Sequence, residues 1–305
     1  MLAPVRDCGS CAGDKAGGVK RIIQVAVRAG VAPHAPCTTI PLSTMHPNQP
    51  APSLSTPADT GAPEWLAPPL TSAVALGASL RTGGSAVLSA ADVCALSGVD
   101  LGSLQAWAPL WNDLPPDAYL RDGGRYRHRR HSSFVVHGDT VTQAPHRPHW
   151  QPLEYNALHG GMERHFEPMQ SALVESRDWT ALLRWLAQVC SGLKGGQTWF
   201  VEAHQFRIDT AAGIGRPTPE GAHRDGVDLV AVFMVARHAI KGGETRVFDA
   251  HGPQGQRFTL SEPWSVLLLD DARVIHESTP IQPVAAGGYR DTLVLTLRAG
   301  GFQDA

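Results

Sequence analysis

A histidine and an aspartate stand two positions apart at His223 and Asp225, and His276 follows much further along the chain. Residues two apart on an extended segment point to the same side, so these two side chains can reach one metal ion. A third ligand from a separate strand would complete a set of two histidines and one carboxylate. Such a set holds ferrous iron on one face and leaves neighbouring coordination positions open. The spacing therefore predicts a non-haem iron centre.

Arg290 lies beyond His276, at the second position of an alternating segment, Tyr289–Leu297. On a strand, Arg290 and Thr292 share one face while the leucines that follow share the other. A guanidinium fork beside a hydroxyl suits a carboxylate, which indicates a site for the far end of an oxo-acid co-substrate. The alternative is that Arg290 is a surface salt-bridge residue and His276 a satisfied core histidine.

A His-x-Asp pair is by itself a weak signal. The chain has 14 histidines, so roughly one such pair is expected by chance. His137-Gly138-Asp139 is a second pair, but the next histidines, His159 and His165, fall in a glycine-rich turn and its flank. His-Arg-Asp also opens the protein-kinase catalytic loop, which requires an asparagine five residues on. Val230 occupies that position, which excludes a kinase.

Bulk composition bounds the class of protein. The chain has 305 residues, 43% hydrophobic and 18% charged, with a formal net charge of −2. These values are ordinary for a globular protein and give no electrostatic case for nucleic acid or anionic membrane as partner. No apolar run reaches the roughly 18 residues of a membrane span, and no secretory signal is visible. We expect a cytoplasmic protein acting on a small molecule, with its oligomeric state left open.

Residues 1–70 are rich in Pro, Ala, Ser, Thr and Gly, and we predict a disordered extension there. Residues 71–305 are predicted to form a single domain. Within the extension, Lys20–Arg28 is a short basic amphipathic segment, typical of a transit or membrane-surface piece, unless Met45 is the true start. The Cys8-x-x-Cys11 pair lacks a second pair, so the five cysteines are interpreted as reduced, incidental thiols.

The elements change character along the domain. Helical periodicity covers Ser89–Leu104, with a possible break at Gly98, and Met169–Leu193. After Gly196 the pattern predicts short strands at Trp199–Ile208, Leu229–Ala236, Thr245–Ala250, Ser265–Leu269, Arg273–His276 and Thr292–Leu297. This order predicts an α+β fold: a double-stranded β-helix, or jelly roll, with flanking helices and with metal ligands at the mouth of the barrel.

Five further segments accompany the metal residues: Arg127-His128-Arg129, Glu154-Tyr155-Asn156 with Gly160-Gly161, His204-Gln205-Phe206-Arg207, Gly242-Gly243-Glu244 and Phe258–Pro263. In this combination, from about Asp122 to Leu297, the chain resembles the bacterial 2-oxoglutarate/Fe(II) dioxygenases typified by L-isoleucine dioxygenase, which hydroxylate free L-amino acids. The resemblance implies a jelly-roll fold, O2 as oxidant, iron held by the triad of His223, Asp225 and His276, and 2-oxoglutarate held by Arg290.

Two departures from that family bear on the substrate. His131 stands where the isoleucine enzyme has a tyrosine, and the metal motif reads His-Arg-Asp-Gly in place of His-Lys-Asp-Asp. The substrate could therefore be another amino acid or a close derivative. The same cofactor chemistry on a tethered or non-amino-acid substrate, and a non-catalytic metal-binding jelly-roll protein, are the alternatives.

A free amino acid offers a carboxylate and an ammonium group to the protein. Candidate carboxylate partners are Arg207 and Arg127 or Arg129, and candidate hydrogen-bonding groups are Tyr155 and Asn156. Against this, a run of arginines between 125 and 130 is typical of a solvated edge, because charges are rarely buried unpaired. The histidine pairs His128 with His131 and His146 with His149 are interpreted as surface residues.

Overall fold

The computed structural model describes residues 66–305. Its helices are α1 (Leu76–Gly83), α2 (Ala90–Ser97), α3 (Leu101–Trp107), α4 (Ser171–Val174) and α5 (Arg177–Lys194). Its strands are β1 (Ser85–Leu88), β2 (Arg127–His137), β3 (Thr140–Gln143), β4 (Trp199–Asp209), β5 (Leu229–His238), β6 (Ile240–Gly242), β7 (Thr245–Asp249), β8 (Gly255–Phe258), β9 (Val266–Asp270), β10 (Val274–Ser278), β11 (Ile281–Pro283) and β12 (Tyr289–Ala299).

Three sheets are formed by these strands. The largest has seven strands in the order β1-β9-β5-β12-β4-β2-β3, the second is β10-β7-β8, and the third is the pair β11-β6. The pairings between these strands are antiparallel. The fold is a double-stranded β-helix with flanking helices, as predicted, but the sheets do not close into a barrel. The site predicted at a barrel mouth instead lies between the large sheet and the smaller one.

Helix α5 covers one face of the large sheet. Ser176 caps its first turn by accepting a hydrogen bond from the backbone N–H of Trp179. Its apolar stripe, which includes Trp179 and Leu182, belongs to the same core cluster as Leu293 and Leu295 of β12. Because side chains alternate across a strand, the residues between these leucines face the opposite side. The helix-covered face is therefore apolar, and the other face is free to carry polar groups.

The predicted elements are present with modest changes in their bounds. The helical segment from Ser89 breaks at Gly98, whose φ of 72° is the left-handed conformation that ends α2. The second helical segment divides into α4 and α5 because Ser176 caps a new helix. All six predicted strands are found, and β12 spans the alternating segment from its first residue, Tyr289, and continues to Ala299. The prediction missed β1, β2, β3, β6, β8 and β11.

Several predictions on the N-terminal region lie outside the described residues. These are the Cys8-x-x-Cys11 pair, the basic segment Lys20–Arg28, the alternative start at Met45 and most of the extension 1–70. At the end of that extension, Leu66 already accepts a backbone hydrogen bond from Thr259, and Leu70 forms a bridge with Val87. No helix in the described part of the chain combines the length and apolar character needed to cross a bilayer.

Candidate metal centre

The histidine, the aspartate and the distant histidine predicted from the sequence come together in the structure. His223 pairs with His276 of β10 in an isolated antiparallel bridge, with mutual backbone hydrogen bonds of 3.0 Å. The Asp225 carboxylate lies between the two rings: Oδ1 is 3.8 Å from His223 Nε2 and Oδ2 is 3.7 Å from His276 Nε2. One ligand atom from each residue lies within 4.8 Å of the other two. The three side chains can therefore face one cation.

The His223 ring is oriented by the backbone. Its Nδ1 lies 2.9 Å from the carbonyl oxygen of Gly221, so Nδ1 carries the proton and Nε2 presents its lone pair towards Asp225. Burial alone would lower the pKa of His223, but Asp225 and Glu220 raise it. Burial and the neighbouring His223 lower the pKa of His276 to about 3, which leaves that ring neutral and able to bind a metal.

The loop that carries Asp225 is held by a second aspartate. Asp271 is 0% exposed, and its two carboxylate oxygens accept three backbone N–H groups, from Asp225 at 3.0 Å, Gly226 at 2.8 Å and Val227 at 3.2 Å. Burial raises the pKa of both Asp225 and Asp271. A divalent cation beside Asp225 would reverse that tendency, because it stabilises the ionised carboxylate. The donor set thus fits a cation.

Gln151 fixes the Asp225 carboxylate from the other side. Its Nε2 donates to Asp225 Oδ1 at 3.2 Å, while its Oε1 accepts from Arg164 at 2.9 Å and from Asn156 at 3.2 Å. Only this orientation of the amide works, because the reverse would set its NH2 group against two donors. Gln151 therefore supplies the supporting hydrogen bond that a carboxylate ligand commonly has in metal sites.

The same cleft contains Arg290 on the polar face of β12. The cleft has an empty volume of about 930 Å³ including its open mouth, and its lining includes His223, Asp225, His276, Arg290 and Thr292. Arg290 is 4% exposed, and its guanidinium makes no hydrogen bond or ion pair with any residue between 66 and 305. Burial lowers its pKa to about 10, so it remains a cation at neutral pH. A buried cation without an anion fits a carboxylate guest.

Of the five predicted substrate residues, three line the cleft. Arg127 and Arg129 are buried at 6% and 3% exposure, so the interpretation of the basic run as a solvated edge is wrong for these two. Arg127 pairs with Asp117 at 2.7 Å, and Arg129 lies between the rings of Phe166 and Phe206. Their positive charges are accommodated by a carboxylate and by aromatic faces. Asn156 is the third predicted substrate residue that lines the cleft.

Arg207 and Tyr155 lie elsewhere. Arg207 is on the opposite face of β4, where it pairs with Asp291 at 2.6 Å and stacks over Tyr289. The cleft side of β4 carries the even-numbered residues from Glu202 to Ile208, because the odd-numbered Val201 and Ala203 pack in the helical core. Arg207 therefore does not line the cleft, contrary to the prediction that it binds the substrate there. Tyr155 packs behind the metal loop, where a Cβ on Gly226 would meet its ring.

A second group of three histidines lies beside the cleft: His149 and His204 line it, and the ring of His131 stacks on that of His204. His131, His149 and His204 are buried and are close enough to one another that by distance they could also hold iron. The interpretation of His131 and His149 as surface residues is thus wrong. Around them, His131 Nε2 and His149 Nδ1 lie 3.3 and 3.2 Å from Glu202 Oε1. Arg129 donates to His204 Nδ1 at 2.8 Å.

One nitrogen of each ring takes part in these contacts. Because an arginine can only donate, Nδ1 of His204 is an acceptor and its Nε2 carries the proton. Arg129 and Arg164 also lower the pKa of the buried His149 and His204, after the larger effect of burial. The same positive charges would repel a divalent cation. The chemistry of the group is that of a hydrogen-bonding wall.

Comparisons with known proteins agree with this architecture. A family described as 2OG-Fe dioxygenase matches residues 108–296. The crystal structure of a bsmA homolog from Methylobium petroleophilum PM1 is 51% identical over 77% of this chain and 96% of that chain, with a TM-score of 0.74. No curated protein sequence matches.

Two more distant structures share the fold alone. IDO from Bacillus thuringiensis is 16% identical over 76% of this chain and all of its own (100%), with a TM-score of 0.58. The Fe(II)/α-ketoglutarate-dependent dioxygenase TqaL is 20% identical over 76% of this chain and 90% of its own, also with a TM-score of 0.58.

The double-stranded β-helix and the family match, which covers most of the large sheet, together define the class of protein. It is an iron- and 2-oxoglutarate-dependent oxygenase. The chain belongs to the 2OG-Fe dioxygenase family, and its cofactors and co-substrates are Fe(II), 2-oxoglutarate and O2. This confirms the predicted enzyme class.

Proposed function

We propose that this protein hydroxylates a free L-amino acid or a close derivative, with conversion of 2-oxoglutarate to succinate and CO2. The observation that carries the proposal is the shared cleft: a group of two histidines and one aspartate opens onto the same cavity as an unpaired, buried Arg290 and a polar, arginine-rich wall. Arg290 and the Arg127–Arg129 wall are both in the lining of this cleft, so it offers separate cationic groups for two small acids.

In this proposal His223, Asp225 and His276 hold the iron. The neutral ring of His276, the oriented Nε2 of His223 and the Asp225 carboxylate held by Gln151 support that assignment. The bound ferrous ion supplies the oxidative chemistry that uses O2 and 2-oxoglutarate to oxidise an unactivated C–H bond. The protein's own part is to fix the three ligands and to keep one side of the ion open to the cleft.

Arg290 binds the far carboxylate of 2-oxoglutarate, with the Thr292 hydroxyl on the same face of β12. Burial makes this interaction strong, because a charge-assisted hydrogen bond gains strength where water is excluded. Arg290 lies opposite Ile208 on β4, whose side chain lines the cavity with it, so the methylene groups of the co-substrate meet an apolar surface.

The remaining part of the cleft is assigned to the amino acid. Arg127 and Arg129 give this end a positive charge that favours a carboxylate, and Asn156 adds a hydrogen-bonding amide. Placement is the catalytic task here, since only the carbon held next to the iron reacts. The side chain of the substrate therefore has to point from the arginines towards His223 and His276.

Incubation of the Fe(II)-loaded protein with 2-oxoglutarate and each of the twenty common L-amino acids tests the proposal. We expect succinate release coupled to a product 16 Da heavier for at least one amino acid. The chain supplies a matched control, because it has two His-x-Asp pairs. His223→Ala and Asp225→Ala should abolish turnover, whereas His137→Ala and Asp139→Ala should leave it unchanged.

Absence of coupled succinate with every amino acid, while the protein binds 2-oxoglutarate, would refute the amino-acid substrate. Normal turnover in either variant of the pair at 223 and 225 would refute the metal assignment.

A further inference from the structure

Arg164 is a buried cation that nothing in the sequence singled out. It lies in the loop before α4, is 2% exposed and lines the cleft. Its only side-chain hydrogen bond within the described residues runs from Nη2 to Gln151 Oε1, at 2.9 Å. No carboxylate of residues 66–305 lies within 4.0 Å of its guanidinium, although Asp117, Glu202 and Glu220 act on it from further away. Burial and the repulsion of Arg127 lower its pKa to about 10, which leaves it charged at neutral pH.

The other arginines of this wall have partners. Arg127 donates from Nε to the carboxylate of Asp117, which also lies 3.9 Å from Arg129. Arg129 donates to His204 and is enclosed by two aromatic rings. Both guanidinium groups are therefore held in place by the protein itself. Arg164 is the member of the three whose charge is not compensated by a direct acidic contact within residues 66–305.

The position of Arg164 is fixed relative to the metal residues. Its Nη2 and the Asp225 carboxylate bind opposite ends of the same amide, that of Gln151. Nη1 of Arg164 makes no hydrogen bond within residues 66–305 and, unlike Nε, is not enclosed by the protein, so its donors remain for a guest. A carboxylate bound there would lie one glutamine side chain away from the metal ligand, with Glu202 and its two histidines on the adjoining wall.

We propose that Arg164 is the residue that binds the carboxylate of the primary substrate, and that it thereby sets the distance from that carboxylate to the oxidised carbon. This inference rests on the proposed function and adds to it: Arg127 and Arg129 shape the charge of the wall, while Arg164 makes the contact. A substrate without a carboxylate leaves Arg164 buried and uncompensated, so the site discriminates against it.

Binding to the protein loaded with Ni(II) and 2-oxoglutarate, which does not turn over, tests this role. The probes are the amino acid with the highest turnover among the twenty and the primary amide of that amino acid, titrated by calorimetry. In the wild type the acid should bind about 10- to 100-fold more tightly than the amide, as expected for loss of a charge-assisted contact. In Arg164→Met that ratio should fall to near one, and Arg164→Lys should restore part of it.

Arg184→Met is the matched control, because Arg184 lies on the exposed side of α5 and donates to the backbone of Asp139. It should keep the wild-type ratio of acid to amide. The Co(II) affinity of Arg164→Met should change far less than the ratio of acid to amide, because Asn156 still donates to Gln151 Oε1 and keeps the amide directed at Asp225. This measurement separates substrate binding from damage to the metal site. A collapse of Co(II) affinity together with the ratio would assign Arg164 a structural role and overturn the inference.

An unchanged ratio of acid to amide in Arg164→Met, in a protein that turns over amino acids, would overturn the role of Arg164 and leave the proposed function intact. Failure of the wild type to bind or turn over any amino acid would overturn both.

Discussion

Replacing Asp271 by asparagine should weaken metal binding without removing a metal ligand. The carboxylate accepts the N–H groups of Asp225, Gly226 and Val227, and an asparagine of the same shape keeps only one oxygen. If that oxygen faces Gly226 and Val227, the N–H of Asp225 meets an NH2 group instead. An unsatisfied buried donor costs about 1–3 kcal/mol. We therefore expect metal affinity to fall by roughly 5- to 150-fold.

The measurement is a Co(II) titration of the metal-free protein, followed by calorimetry or by the visible absorption of the bound ion. Asp270→Asn is a close control, because Asp270 is the adjacent residue and its carboxylate pairs with Lys194 at 2.7 Å and not with the loop. Its Co(II) affinity should remain close to that of the wild type. Urea unfolding of both variants separates local loosening of the loop from general loss of stability.

Equal Co(II) affinity in wild type and Asp271→Asn would refute the view that the buried carboxylate organises the loop. An equal loss in Asp270→Asn would refute it as well, because the effect would then come from the turn as a whole.

Three other predictions follow from the cleft and its surroundings. Arg290→Met should raise the KM for 2-oxoglutarate on the order of 10- to 1000-fold, since the buried guanidinium is the proposed partner of its carboxylate. Gly226→Ala should lower the free energy of unfolding by about 2 kcal/mol or more, because φ is +74° and the added methyl group would meet an aromatic ring. Gly138→Ala should lower it by less, because φ is +56° there and the added methyl group would lie in open space. The metal-free protein should lose stability between pH 6.5 and 4.5. Burial lowers the pKa of His149 to about 3, so in this pH range the unfolded chain binds a proton at His149 that the folded chain does not bind. The free energy of unfolding should therefore fall by up to about 1.4 kcal/mol for each pH unit. Glu202, whose pKa is also lowered in the fold, adds to the loss only below about pH 4.3.

Each of these three predictions can be checked by one measurement. Steady-state kinetics with varied 2-oxoglutarate measures the first, and an unchanged KM would place the co-substrate elsewhere. Urea unfolding measures the second, where equal losses at the two glycines would contradict the steric argument. For the third, unfolding at several pH values should give a flatter profile in His149→Gln, whereas exposed His165→Gln should follow the wild type.

The metal residues and β12 were predictable because their signals are local or periodic. A His-x-Asp pair and an alternating strand ending in leucines can be recognised from a single sequence. The structure agrees with the prediction that Arg290 and Thr292 share a face, since both line the cleft. The helices were predictable for the same reason: an apolar stripe and a capping serine such as Ser176 lie within one segment.

The other wall of the cleft was predicted only in part, because its strands face a polar cavity. On β2 the residues Arg127, Arg129 and His131 point inward, so hydrophobic alternation gives no signal and charge suggests solvent. On β4 both faces carry polar residues, which led to the assignment of Arg207 to the wrong side. Arg164 comes from a loop without periodicity, and only the folded chain brings it to Gln151.

The amide of Gln151 makes the two ends of the cleft thermodynamically dependent on each other. A change in the hydrogen bond from Gln151 to Asp225 alters the hydrogen bond that Gln151 accepts from Arg164, and the reverse is equally true. Coupling of this kind is reciprocal: an ion that tightens the binding of an organic acid must itself be bound more tightly when the acid is present. Iron and substrate should therefore not bind independently: each should change the affinity of the cleft for the other by the same factor.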